Sequence, residues 1–110
     1  MSANTGVFVV LASGSRTAGT TTSPDVPVEA FEEVNVYTDA TAVTGSMVVT
    51  AQCSPDGGTT WYDHTAGASI SAVGRQMLKL TNAGKLLRLS CVITTGPITF
   101  SATIEGKRYG

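Results

Sequence analysis

The chain is short of charge, of long apolar runs and of helical periodicity, and each shortage removes a class of protein. Charged residues make up 14% of the 110 and the net charge is −1, against roughly 25% charged in an ordinary soluble domain. Lys and Arg are scattered, with no basic run and no basic–aromatic interleaving, so a nucleic-acid partner has no electrostatic support. The apolar run Val7 to Ala12 is too short for a signal-peptide core or a membrane span. The expectation is a chain with no membrane partner, made in the cytoplasm and used there or built there into a larger particle. Two cysteines, Cys53 and Cys91, permit one disulfide, should their strands face each other across a sandwich, but do not demand it. Buried thiols acting as small hydrophobes are expected in a reducing compartment.

Chemistry is equally sparse. His64 is the only histidine. Its neighbour Asp63 points to the opposite face of any strand, so the two cannot form an acid–base dyad with each other. Glu32 and Glu33 are opposed in the same way and read as a solvated edge. Cys53, His64 and Cys91 lack the spacing of a metal finger. None of the 12 glycines builds a phosphate cradle ahead of a helix. No catalytic residue, cofactor or metal is expected.

What is present is alternation. Met47, Val49, Ala51 and Cys53 share one face of a strand. Leu87, Leu89, Cys91 and Ile93 share another, as do Ile98, Phe100, Ala102 and Ile104. Each is a half-buried antiparallel strand with a wet face. Further strands are expected at Val7–Ala12, Val34–Thr38, Thr60–His64, Ala68–Ala72 and Gln76–Leu80. The turn signals between strands are Thr44-Gly45, Asp56-Gly57, Val73-Gly74, Asn82-Ala83-Gly84 and Gly96-Pro97. About eight short strands in one domain, residues 1–110, predict an all-β antiparallel sandwich of jelly-roll or immunoglobulin-like type, with a small barrel as the alternative. Residues 13–30 break the pattern, being rich in Ser, Thr, Gly and Pro. They read as a long ordered loop or an extended arm that gains order from a partner. Within it Arg16 offers a forked donor, and Val26, Val28 and, just beyond, Phe31 are candidate partner contacts.

Residues 54–61, Ser-Pro-Asp-Gly-Gly-Thr-Thr-Trp, have the spacing Ser-x-Asp-x-Gly-x-Thr-Trp and resemble the Asp-box of sialidase-type β-propellers. A propeller is excluded by length, because at least four blades of roughly 40–50 residues are needed. The residues themselves describe a pinned hairpin. Asp56 accepts from backbone N–H groups, Gly57 and Gly58 take positive φ, and Trp61 packs back over the turn, with Ser54 and Thr60 flanking. The rival reading is a sugar-binding module in which Trp61, Tyr62 and Tyr37 stack on sugar rings.

Three longer stretches carry a second resemblance. "VVLASGSRTAGTTTSPD", "VNVYTDATAVTGSMVVTAQCSPDGGTTWYDH" and "LLRLSCVITTGPITFSATIEG" together resemble small proteins encoded among phage and prophage head genes. The resemblance implies a β-sandwich virion protein used in many copies, a capsid decoration or cement protein. It implies homo-oligomers on the particle, with the major capsid protein or other virion proteins as partners. Related sandwiches at head–tail joints and tails make a head–tail or tail role the alternative.

Overall fold

The computed structural model describes residues 4–81 and 84–108, and every described element is a strand. In chain order they are β1 (Asn4–Arg16), β2 (Gly19–Thr22), β3 (Val26–Pro27), β4 (Glu33–Val43), β5 (Ser46–Ser54), β6 (Tyr62–Ala66), β7 (Gly74–Thr81), β8 (Leu86–Thr95) and β9 (Ile98–Arg108). They form two antiparallel sheets, one in the order β1-β9-β4-β7 and one in the order β2-β8-β5-β6 with β3 also on β8. With β2 and β3 sharing one strand position, this is the strand order of a jelly roll, which settles the choice left open by the alternation.

The pairing has a simple origin. Asn4 pairs with Arg108, Gly19 with Ile93, Val26 with Leu87, Glu33 with Thr81 and Cys53 with Tyr62. Every one of these pairs is centred close to residue 57. The chain is therefore one long hairpin, doubled at Asp56–Gly58 and rolled into two sheets. The inward faces close a core that includes Val34, Val36, Met47, Val49, Leu80, Leu87, Leu89, Ile98, Phe100 and Ile104, each at most 1% exposed. The alternation read along β5, β8 and β9 is the alternation observed.

Two expected strands differ. The sixth runs Tyr62–Ala66 rather than Thr60–His64, because the Thr60 N–H is already committed to the Asp56 carboxylate at 2.8 Å. Residues 68–72 form no strand; only Ile70 bridges to Met47. The turn signal at Asn82-Ala83 lies outside the described residues.

The largest correction concerns residues 13–30. Ser13 to Arg16 continue β1, pairing with β9 through a bulged register. Thr20, Thr21 and Thr22 pair with Val92, Cys91 and Ser90 of β8, and Val26 and Pro27 with Leu87 and Leu86. The Ser23 hydroxyl accepts from the Leu89 N–H at 2.8 Å, and the Leu89 carbonyl accepts from the Ser23 N–H at 2.9 Å. From Gly19 to Pro27 the segment is the outer edge of the second sheet. An edge strand needs no apolar alternation, which is why its sequence resembles a linker.

Candidate interaction surface

The hairpin tip is closed by its own side chains. The Ser54 hydroxyl, 1% exposed, donates to Asp56 Oδ1 at 2.9 Å and accepts from the Gly58 N–H at 2.8 Å. Gly57 and Gly58 sit at φ +77° and +99°, the left-handed region that favours glycine. Hydrogen bonds from the Thr60 N–H and the Ser54 hydroxyl hold the Asp56 carboxyl below its ordinary acidity range. Trp61 Nε1–H donates to the Gly58 carbonyl at 3.0 Å, and the Arg88 guanidinium lies 4.2 Å from the centre of its ring. From Arg88 a ladder crosses the outer face of the second sheet. Arg88 Nε donates to Gln52 Oε1 at 2.9 Å, and Gln52 Nε2 donates to Asp63 Oδ1 at 2.9 Å.

The three aromatic residues considered for sugar stacking are not brought together. Trp61 is half-buried under Arg88, Tyr62 lies on β6, and Tyr37 lies on β4 in the other sheet. His64 ties the sheets together at one corner. Its Nε2 lies 2.8 Å from the Thr81 carbonyl of β7 and therefore donates, leaving Nδ1 to accept from the Thr65 hydroxyl at 2.7 Å. Glu33 lies 3.7 Å from Lys79. Among the described residues no three His, Cys, Asp or Glu side chains gather as a metal site requires.

The residues expected to contact a partner from a free arm are used inside the domain. Val26 and Val28 are 5% and 1% exposed in the core. Arg16 donates to the Gly14, Phe100 and Ala12 carbonyls at 3.1, 2.8 and 2.8 Å, and its guanidinium lies 4.6 Å from the centre of the Phe100 ring. Phe31 lies over the cross-strand pair Gly6 and Gly106, with the Phe8 ring edge-on at 6.4 Å. A Cβ on Gly106 would collide with the Phe31 ring. The glycines there provide a seat for Phe31, a role that only the pairing reveals.

Cys53 and Cys91 are free, and both belong to the second sheet. In the β5–β8 register Cys53 faces Leu87 and Cys91 faces Val49. That separates them by four residues, or about 13 Å at ~3.3 Å per residue, beyond the roughly 7 Å Cα limit of a disulfide. An immunoglobulin-like bond between sheets has no geometry here.

Of the seven large apolar side chains exposed among the described residues, four lie on the outer face of the four-stranded sheet. Cross-strand register lines up Val9, Thr103, Tyr37 and Met77 in one row, with Val7, Glu105, Asn35 and Lys79 in the next. Val7, Val9, Tyr37 and Met77 are 62%, 67%, 38% and 58% exposed. On the far side of the row Asp39 and Arg75 pair at 3.7 Å. Tyr37 donates to Glu105 Oε1 at 2.7 Å, and Asn35 Nδ2 to the same oxygen at 3.3 Å. The Tyr37 bond, then the Asn35 bond, lowers the Glu105 pKa, while the carboxylate raises that of Tyr37. The hydrogen bond ties the Tyr37 hydroxyl to β9. A shallow groove lined by Tyr37, Asp39, Met77, Ser101 and Thr103, among others, crosses this face. The sequence expectation placed strands at Val7–Ala12, Val34–Thr38 and Gln76–Leu80; only the register shows that Val9, Tyr37 and Met77 form an apolar band.

No family model matches the chain, and no curated protein matches it. Solved structures do. The chain is similar to SPBc2 prophage-derived protein YomS, with a TM-score of 0.65 at 13% identity, covering 96% of both chains. It is similar to a subunit of Bacillus endospore appendages, described as disulfide-linked pili, with a TM-score of 0.63 at 12% identity over 99% of this chain and 93% of that one. It is similar also to a chain of infectious bursal disease virus, Gx strain, with a TM-score of 0.62 at 9% identity, and spans all of itself but 34% of the viral chain. At these identities the likeness is one of fold. The sandwich is of a kind found in a virus and in a prophage-derived protein.

Proposed function

We propose that this chain is a non-enzymatic structural protein of a bacteriophage virion, specifically a capsid decoration or cement protein. It docks on the major capsid protein through the outer face of the four-stranded sheet. The observation that carries the reading is the exposed row Val9–Thr103–Tyr37–Met77, bordered by Glu105 and by the ion pairs Glu33–Lys79 and Asp39–Arg75. Apolar and aromatic residues at the centre of a patch with ion pairs at its rim are the composition of a protein-binding surface. The fold shared with a viral chain and a prophage-derived protein supports the same reading, as does the resemblance to phage head proteins.

Co-sedimentation with undecorated capsids tests it. Met77→Lys, at an exposed position, should leave the melting temperature unchanged and weaken capsid binding roughly tenfold or more, the loss of about 1.4 kcal/mol. Binding at wild-type occupancy would remove this face from the interface. Electron cryo-microscopy of the native particle then fixes the position, and density at the neck or tail would redirect the assignment there.

A further inference from the structure

Each sheet has two edges, and three of the four are protected against pairing with another chain. The β7 edge carries two charged side chains, Arg75 and Lys79, a device that discourages edge pairing, and pairing centred on Met77 would set them opposite each other. The Thr81 carbonyl at its end is also occupied by His64. The β6 edge is 5 residues long and carries Asp63. The β2–β3 edge is split into two short pieces, with Pro24 between them and Pro27 in the second.

The β1 edge has none of these devices over its first half. No charged residue and no proline occurs from Asn4 to Ser15. The register against β9 is regular from Asn4 to Val9 and becomes bulged beyond, so a straight, unprotected edge is confined to that stretch. Val7 and Val9 there project two exposed β-branched side chains on the outer face.

We propose that β1 pairs antiparallel with β1 of a second copy of this chain, joining two four-stranded sheets into one of eight strands. The pleat sets the register. Residues facing the same side must pair with each other, so a two-fold pairing is centred on a residue. Centring on Val7 keeps the contact within the regular stretch, with Val7 opposite Val7, Thr5 opposite Val9 and Gly6 opposite Phe8 of the other copy. The exposed valines of both copies then form one cluster at the two-fold axis. The absence of charge on β1 means that self-pairing brings no like charges together and desolvates none, whereas any pairing along β7 must take in Arg75 or Lys79. The dimer also joins the two exposed rows into one face across the axis. The pairing stands independently of the virion reading.

The test uses the isolated full chain. Sedimentation velocity across a concentration series should show dimer, and Val7→Lys should shift it to monomer, with a melting curve that matches the wild type at dilutions where the wild type is itself monomeric. Met77→Lys, on the opposite edge strand of the same face, should leave the dimer intact while weakening capsid binding. In a Cys53→Ser background, Val7→Cys should form a covalent dimer under mild oxidant, because the two introduced thiols oppose each other. A wild-type monomer at several hundred micromolar, or a dimer that survives Val7→Lys, would overturn the proposal. A dimer that Val7→Cys fails to cross-link while Val9→Cys succeeds would overturn the register.

Discussion

Trp61→Ala probes the point about which the whole chain doubles. The ring is half-buried, so its removal forfeits about half the 3–5 kcal/mol typical of a fully buried Trp, or about 2 kcal/mol. Losing the Nε1–H bond to Gly58 adds about 0.5–1 kcal/mol, and losing the half-buried Arg88 contact about 0.5 kcal/mol. The expected total is about 3 kcal/mol, against a stability of roughly 5–15 kcal/mol for a domain of this size. At about 4 °C per kcal/mol, the melting temperature should fall by about 12 °C. The kinetics discriminate further. In a nested hairpin only the tip closes a short loop; every other pairing closes a longer one unless the inner pairs already exist. The loss should therefore appear mainly as slower folding, with a φ-value of roughly 0.5–1. Ile104→Ala, at the outermost pairing with Phe8, should instead speed unfolding. Stopped-flow chevrons of both variants provide the assay. An unchanged melting temperature would refute the pinning role of Trp61. A φ-value near zero for Trp61→Ala, with a high one for Ile104→Ala, would refute the order of pairing.

Deleting Arg16 to Asp25 should abolish cooperative unfolding rather than merely release the protein from particles, since the segment supplies the β2 edge and the Arg16 contacts to β9; a sharp melt would contradict this. Burial pushes the Cys91 thiol up to about 11 and raises that of Cys53 as well. Alkylation of the native protein at neutral pH should therefore be slow at Cys53 and slower at Cys91, with both modified once unfolded; rapid native labelling of Cys91 would contradict its placement. Asp56 and Glu105 are held below their ordinary values of 3.8 and 4.5. A depressed folded-state pKa contributes stability that is present above the unfolded value and lost as pH falls through the folded one. The melting temperature should drop on acidification below about pH 5, and Asp56→Asn should make that drop shallower; an identical acid profile would remove Asp56 from the account.

What was legible in the sequence followed burial. Strands with one face in the core and one in water, such as β5, β8 and β9, announce themselves by alternation, and their inward residues are those predicted. The tip was legible because its chemistry is local: Ser54, Asp56, Gly58 and Trp61 act on one another within a few residues. The edge of the second sheet was not legible. Thr20 to Thr22 lie against β8 mainly through backbone pairing, and Val26 and Val28 are separated by a single proline, too short a pattern to register as a strand. Arg16 looked like an unoccupied donor because its acceptors, apart from local carbonyls, lie at Phe100, across a pairing that no local window contains. The strand expected at 68–72 fails for the opposite reason: small residues alternate there, but only Ile70 has an apolar side chain large enough to reach the core.

The two outer faces divide the work of the domain. On the second sheet the polar groups are turned on one another: Asp63, Gln52 and Arg88 form a ladder that ends on Trp61, and their hydrogen-bonding capacity is largely spent holding the hairpin tip. On the first sheet the ion pairs stand at the rim, Glu33 with Lys79 and Asp39 with Arg75, while the middle carries Val9, Tyr37 and Met77 with no internal cover. Tyr37 is fixed in place by Glu105 rather than by anything packed over its ring. A face arranged for the chain's own stability would set these residues inward, where each buried apolar side chain is worth about 1.5–3 kcal/mol. Leaving them outward gives up that stabilisation, and contact with another protein is what would recover it.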